Sequence, residues 1–144
     1  MAGAAFIPLA VLSGIFASLS SVFAKLFTDT RTTLLHDRIV NYATALNLTI
    51  PFDPEISLLG LRGLCFGLIF ACNSLMWTLF TKALNAAPSS VQTTTVNGAV
   101  NLTVSALLGY LIFEEPLALG WWIGASFILS GTLLLSRAQK QKTD

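Results

Sequence analysis

Apolar residues dominate four stretches of the chain, 5–27, 60–82, 89–113 and 117–136, separated by charged or turn-forming residues. A helix needs roughly 20 mainly apolar residues to cross the hydrocarbon of a bilayer. The pattern therefore predicts an all-α, polytopic membrane protein with four transmembrane helices in a single domain over 1–144. Pro8 falls in the opening turn of the first stretch, where a helix tolerates it. No Lys or Arg precedes that stretch, and it is longer than the apolar part of a signal peptide, so it reads as a span. Ser89-Ser90-Val91-Gln92, just after Pro88, has capping-box spacing and marks the start of the third helix. The acidic break Phe113-Glu114-Glu115-Pro116-Leu117 separates the third and fourth helices. Tyr110, Phe113, Trp121 and Trp122 flank it, as aromatic rings do at a membrane–water interface.

Polar positions are as informative as the apolar ones. In the third stretch Thr93, Asn97, Asn101 and Ser105 recur at every fourth position and form one stripe on a helix. Hydrocarbon offers such groups no water, so each needs a partner in the protein or a hydrated cavity. The stripe either lines a solute path, to which Asn73 and Thr78 of the second span contribute, or locks the helices together. The connection 28–59 is long for a chain of short turns. Leu35, Ile39, Tyr42, Ala43, Leu46 and Ile50 fall there at helical spacing, which predicts a helix lying on the bilayer surface.

Composition agrees with a membrane chain. Hydrophobic residues make up 54% and charged residues 10%, far below the roughly 25% charged of a soluble domain. A net charge of +1, with no basic run interleaved with aromatics, argues against nucleic acid as a partner. With four spans, Lys82, Arg137, Lys140 and Lys142 share one side, while Lys25, Arg31, Arg38 and Arg62 share the other. The tie leaves orientation open; the cluster after the last helix tips it towards cytoplasmic termini, and insertion in both orientations stays open. Which membrane holds the chain is not encoded in this balance.

Chemistry-bearing motifs are sparse. There is no glycine-rich phosphate loop, no metal-ligand spacing and a single histidine, His36, read as a solvated loop residue, so the chain is read as no enzyme and no cofactor is expected. Cys65 and Cys72, seven positions apart, stand about 10 Å apart along a helix axis, too far for a disulfide within the chain, and read as small apolar side chains. Lys25, near the end of the first span, is either a snorkelling lysine or a cation facing the path. Ser18 and Ser21 continue its polar face down the helix. Asn47-Leu48-Thr49 is a glycosylation sequon, usable only if the loop is lumenal or extracellular. Small residues permit close helix contacts at Ser105 and Gly109 on the third helix and at Gly120, Gly124 and Gly131 on the fourth.

The segment 108–117, Leu-Gly-Tyr-Leu-Ile-Phe-Glu-Glu-Pro-Leu, with the glycine-bearing helix 120–135, resembles the closing helix pair of EamA-type domains of the drug/metabolite transporter superfamily. The block 73–84, Asn-Ser-Leu-Met-Trp-Thr-Leu-Phe-Thr-Lys-Ala-Leu, together with Ala24-Lys25-Leu26 and Trp121-Trp122, resembles the transmembrane protein 42 family. The resemblance implies one EamA-like repeat, with Glu115 as the family's turn glutamate and Lys25 as its first-helix lysine. It also implies pairing, as a homodimer or with another half-size membrane protein, because larger relatives enclose substrate between two repeats. Two departures stand out: the 28–59 insertion, and the lack of an acidic residue deep in any span, which argues against proton exchange through an embedded glutamate. The expectation is a small transporter-like membrane protein moving a polar metabolite along Thr93, Asn97 and Asn101. The alternative is a membrane assembly or interaction subunit that does not transport.

Overall fold

A computed structural model describes residues 5–48 and 53–140, and they are helical throughout, with no strand among them. The order is α1 (Phe6–Thr28), α2 (Arg31–Ala45), α3 (Pro54–Ala86), α4 (Ser90–Phe113) and α5 (Leu119–Lys140). Three of these, α1, α3 and α4, are long and apolar enough to cross a membrane. The apolar described part of α5, Leu119–Gly131, is shorter than a span requires.

Helix ends follow local chemistry. Asp53 caps α3 by accepting from the Glu55 backbone N–H at 3.0 Å, with Pro54 at the first helical position. This start lies six residues before the expected apolar stretch. At 33 residues the helix is about 50 Å long, well beyond a hydrocarbon layer of about 30 Å. Ser89 caps α4 as the residue before its first turn, accepting from the Val91 N–H at 3.3 Å. Glu114 ends α4 in the left-handed region at φ 51°, a conformation usually given to glycine or asparagine.

The helix expected within 28–59 is α2. The Asp29 carboxylate accepts from the Arg31 N–H at 2.9 Å, and Thr32 Oγ1 donates to the Leu26 carbonyl, which together turn the chain out of α1. Leu35, Ile39, Tyr42 and Leu46 are exposed. His36 corrects its expected role: it is buried against α3, its Nε2 2.5 Å from Ser57 Oγ. The early start of α3 makes this contact possible, since Ser57 sits on the turns that precede the apolar stretch. Thr49 and Ile50 lie outside the described residues, as does Lys142.

α1 is the centre of the bundle. It packs along both α3 and α4, which touch each other little, while α5 rests lightly on α4. Phe6, Ala10 and Ala83 form a small buried cluster with Leu9, Ala86, Ala87 and Val96 around it. Most large apolar side chains elsewhere point outward, Phe70 and Trp77 among them. That distribution inverts a water-soluble bundle, where such residues would be inside.

Candidate functional site

Because α1 lies between two helices, its polar residues divide into two edges. Ser13 and Ser20, seven positions apart, face α3. Gly14 and Ser18, four apart, face α4. The four form a seam in which small side chains let backbones approach and hydroxyls bond across the gap.

Ser13 joins three helices. Its hydroxyl donates to the Met76 carbonyl of α3 at 3.0 Å and accepts from Asn97 Nδ2 of α4 at 2.8 Å. One turn further on, Ser18 Oγ lies 3.0 Å from the Gly14 carbonyl and from both oxygens of Asn101. Asn101 Oδ1 also accepts from Ser105 Oγ at 3.2 Å. On the α3 edge, Asn73 Nδ2 donates to Ser20 Oγ at 2.7 Å and to the Ile69 carbonyl at 3.0 Å. Ser20 in turn donates to that carbonyl at 3.3 Å. Cys65 and Cys72 are buried free thiols on the same helix. Thr78, by contrast, is exposed and returns its proton to the Ser74 carbonyl of its own helix.

Gly14 shows how close the helices come. A Cβ there would stand 2.7 Å from the Asn97 carbonyl oxygen and 2.9 Å from Val100 Cβ. The first of these is backbone, which cannot swing aside as a flexible side chain would. Gly109, Gly120, Gly124 and Gly131, the glycines expected to set helix contacts, have open space at the corresponding point. They occupy outer faces of α4 and α5 within this chain.

Thr93 behaves differently from the rest of its stripe. It is fully buried, and its hydroxyl has no hydrogen-bond partner among the described residues. An unpaired buried hydroxyl costs about 1–3 kcal/mol.

Lys25 and Glu115, the two residues highlighted by the family resemblance, meet. Lys25 Nζ lies 2.5 Å from Glu115 Oε2 and 4.3 Å from the centre of the Phe113 ring. Arg31 reaches Glu114 Oε2 at 3.8 Å. The acidic turn is thus held to the end of α1 and the start of α2. Lys25 is 37% and Glu115 60% exposed, so the pair adds no more than about 1 kcal/mol. The ammonium is occupied by this carboxylate and ring.

Sequence reading singled out Asn73, Asn97, Asn101, Ser105, Ser18 and Lys25, and each makes a contact between helices or supports one. It missed Gly14, Ser13 and Ser20. Their signal was present: serine and glycine are dense along one 23-residue apolar helix, at spacings of four and seven. Among the described residues no group of His, Cys, Asp and Glu could hold a metal ion. Asn47, of the sequon, is exposed in the turn after α2 with φ 56°. No family model matches the chain, and no solved structure matches it.

Proposed function

We propose that this is a multi-pass integral membrane protein that acts by associating with a second copy of itself, or another half-size membrane protein, and that its polar stripe locks the bundle rather than conducting a solute. One observation carries the reading: the Asn97 and Asn101 side chains are turned onto α1 and bonded there to Ser13 and Ser18. A carboxamide that recognises a passing solute has to present a free donor or acceptor to a cavity.

In this reading α1, α3 and α4 span the bilayer and α5 is a fourth span whose partner lies outside the chain. The open glycine face of α5 and its light contact with α4 support this. α2 lies on the surface with Leu35, Ile39 and Tyr42 in the headgroup region. Membership of the transmembrane protein 42 family, and one EamA-like repeat, are proposed on the sequence blocks that carry the resemblance.

A second reading keeps the transporter. An open groove of about 600 Å³ on α4 is lined by Ser90, Thr94, Thr95, Asn101 and Ser105 together with Val91, Ala99 and Leu102, with Ile128 of α5 opposite. A paired copy closing that groove would make a largely apolar path with a polar strip along it that leaves Asn97 out.

The double variant Asn97→Leu with Asn101→Leu separates the two. The lock reading expects a folded protein that is less stable by about 1–2 kcal/mol, from two or three interhelical bonds of about 0.6 kcal/mol each. It also expects unchanged cross-linked association in nanodiscs. Polar-solute flux in proteoliposomes that is present in the parent protein and abolished in the folded double variant would overturn the lock and favour a path.

A further inference from the structure

The charged residues at the end of α1 and the start of α3 are unevenly partnered. Lys25 takes Glu115 and Arg31 takes Glu114. Asp29 accepts from the Arg31 N–H, Asp37 faces His36, and Asp53 caps α3. Arg38, Glu55 and Arg62 form no ion pair among the described residues; Arg38 and Glu55 are exposed, whereas the Arg62 Nε is buried with no hydrogen-bond partner among those residues. Arg62 is half-buried and lies on the third turn of α3, beside the last turn of α1. A guanidinium at the edge of hydrocarbon is costly unless an acceptor reaches it.

Its surroundings identify the acceptor. Arg62 lines an open groove of about 590 Å³ with Phe27, Thr28, Leu59, Gly63 and Phe66. Nothing lies within 4 Å of where a Gly63 Cβ would stand, so the groove wall next to Arg62 on α3 is open at that point. Thr28 spends its proton on the Ala24 and Lys25 carbonyls, leaving the guanidinium as the groove's donor. An aromatic wall then leads away along α3, with Phe27 and Phe66 ring centres 5.6 Å apart and Phe66 and Phe70 5.0 Å apart. One planar cation at the head of an apolar track suits an acceptor carried on hydrocarbon chains.

We infer that this groove binds one glycerophospholipid, its phosphodiester on the Arg62 guanidinium and an acyl chain along Phe66 and Phe70. Guanidinium and phosphate match in geometry through paired N–H donors. The apolar wall distinguishes a lipid phosphate from a free one, which would gain nothing from Phe66 and Phe70. Recognition is local, because the acidic residues around α2 and the turn keep this end from being a basic surface. The site rests on the chain being embedded in a bilayer and is independent of whether it associates or transports.

Native mass spectrometry of the full chain released from mixed micelles tests it. With phosphatidylglycerol, one lipid should remain bound. Arg62→Gln should weaken retention about tenfold, and Arg62→Lys, which keeps charge without the planar fork, should weaken it less. Gly63→Leu fills the groove with the charge intact and should also abolish retention, which covers the case in which Arg62→Gln misfolds. Diacylglycerol with the same chains should be lost, and millimolar inorganic phosphate should not displace the phospholipid. Equal retention by parent, Arg62→Gln and Gly63→Leu overturns the site. Diacylglycerol held as tightly as phosphatidylglycerol overturns the role of the phosphate, and displacement by inorganic phosphate overturns the lipid. Incorporation of each variant into nanodiscs, monitored alongside, separates loss of this site from loss of membrane insertion.

Discussion

Two neighbouring turns of α4 hold residues of the same stripe in opposite conditions. Asn97, half-buried, has found a serine on α1; Thr93, one turn earlier and fully buried, has no partner among the described residues. Thr93→Val replaces the hydroxyl with a methyl of similar shape, so the variant is expected to be more stable by about 1 kcal/mol, the lower end of what an orphaned hydroxyl costs. Thermal unfolding in detergent reads it, and a destabilisation of that size would mean the hydroxyl has a partner after all. Gly14→Ala is expected to do the reverse. A Cβ 2.7 Å from a backbone carbonyl forces α1 and α4 apart, at about 1–3 kcal/mol for overpacking. Gly109→Ala, with open space beside it, serves as the matched control that should stay within about 0.5 kcal/mol in the isolated chain. The residues themselves were legible from sequence to different degrees. Asn97 and Asn101 were visible because amides are rare in apolar runs. Gly14 was not, because glycine suits many helix contacts and only the neighbour's position shows which glycine is used.

Helices were easier to read than their roles. A capping serine and an apolar run located α4 to within a residue, whereas the amphipathic spacing from Leu35 to Ile50 overlaps α2 but is set about four residues late against Arg31–Ala45. The N-terminal turns of α3 escaped, because Pro54 to Leu59 is too polar to count towards a span, although Asp53 and Pro54 are a good helix start. That omission also hid His36, which reads as solvated until Ser57 is placed on a helix beside it. The lesson is physical: hydropathy marks where a helix meets lipid, whereas caps mark where it begins. On α1 the apolar pattern gave the helix, but of the seam residues only Ser18 was picked out. It took the three-helix arrangement to show that one edge serves α3 and the other α4.

For the molecule as a whole, α5 is the element that three packed helices leave unexplained. Gly120 and Gly124 lie on it with no described residue within 4 Å of where their Cβ atoms would stand, beside an open apolar groove of about 690 Å³ between α4 and α5 walled by Leu107, Tyr110, Trp121 and Trp122. If α5 is the associating helix, Gly120→Leu with Gly124→Leu should abolish cross-linked species in nanodiscs while leaving the unfolding temperature of the α1–α3–α4 core unchanged. Persistence of the cross-link would move the interface off that face. The resemblance that suggested pairing rests on this part of the chain and on the turn before it, where Lys25 and Glu115 are now seen in contact.

The central position of α1 bears on how the chain is made. α1 leaves the ribosome before the helices it packs against: the amide that completes Ser13 comes 84 residues later, and the carbonyl it donates to comes 63 residues later. During synthesis α1 can dock on α3 as soon as that helix is out, while the notch at Gly14 stays open until Asn97 arrives to close it. The arrival of α4 in a nascent chain is therefore displayed on one face of a helix already made.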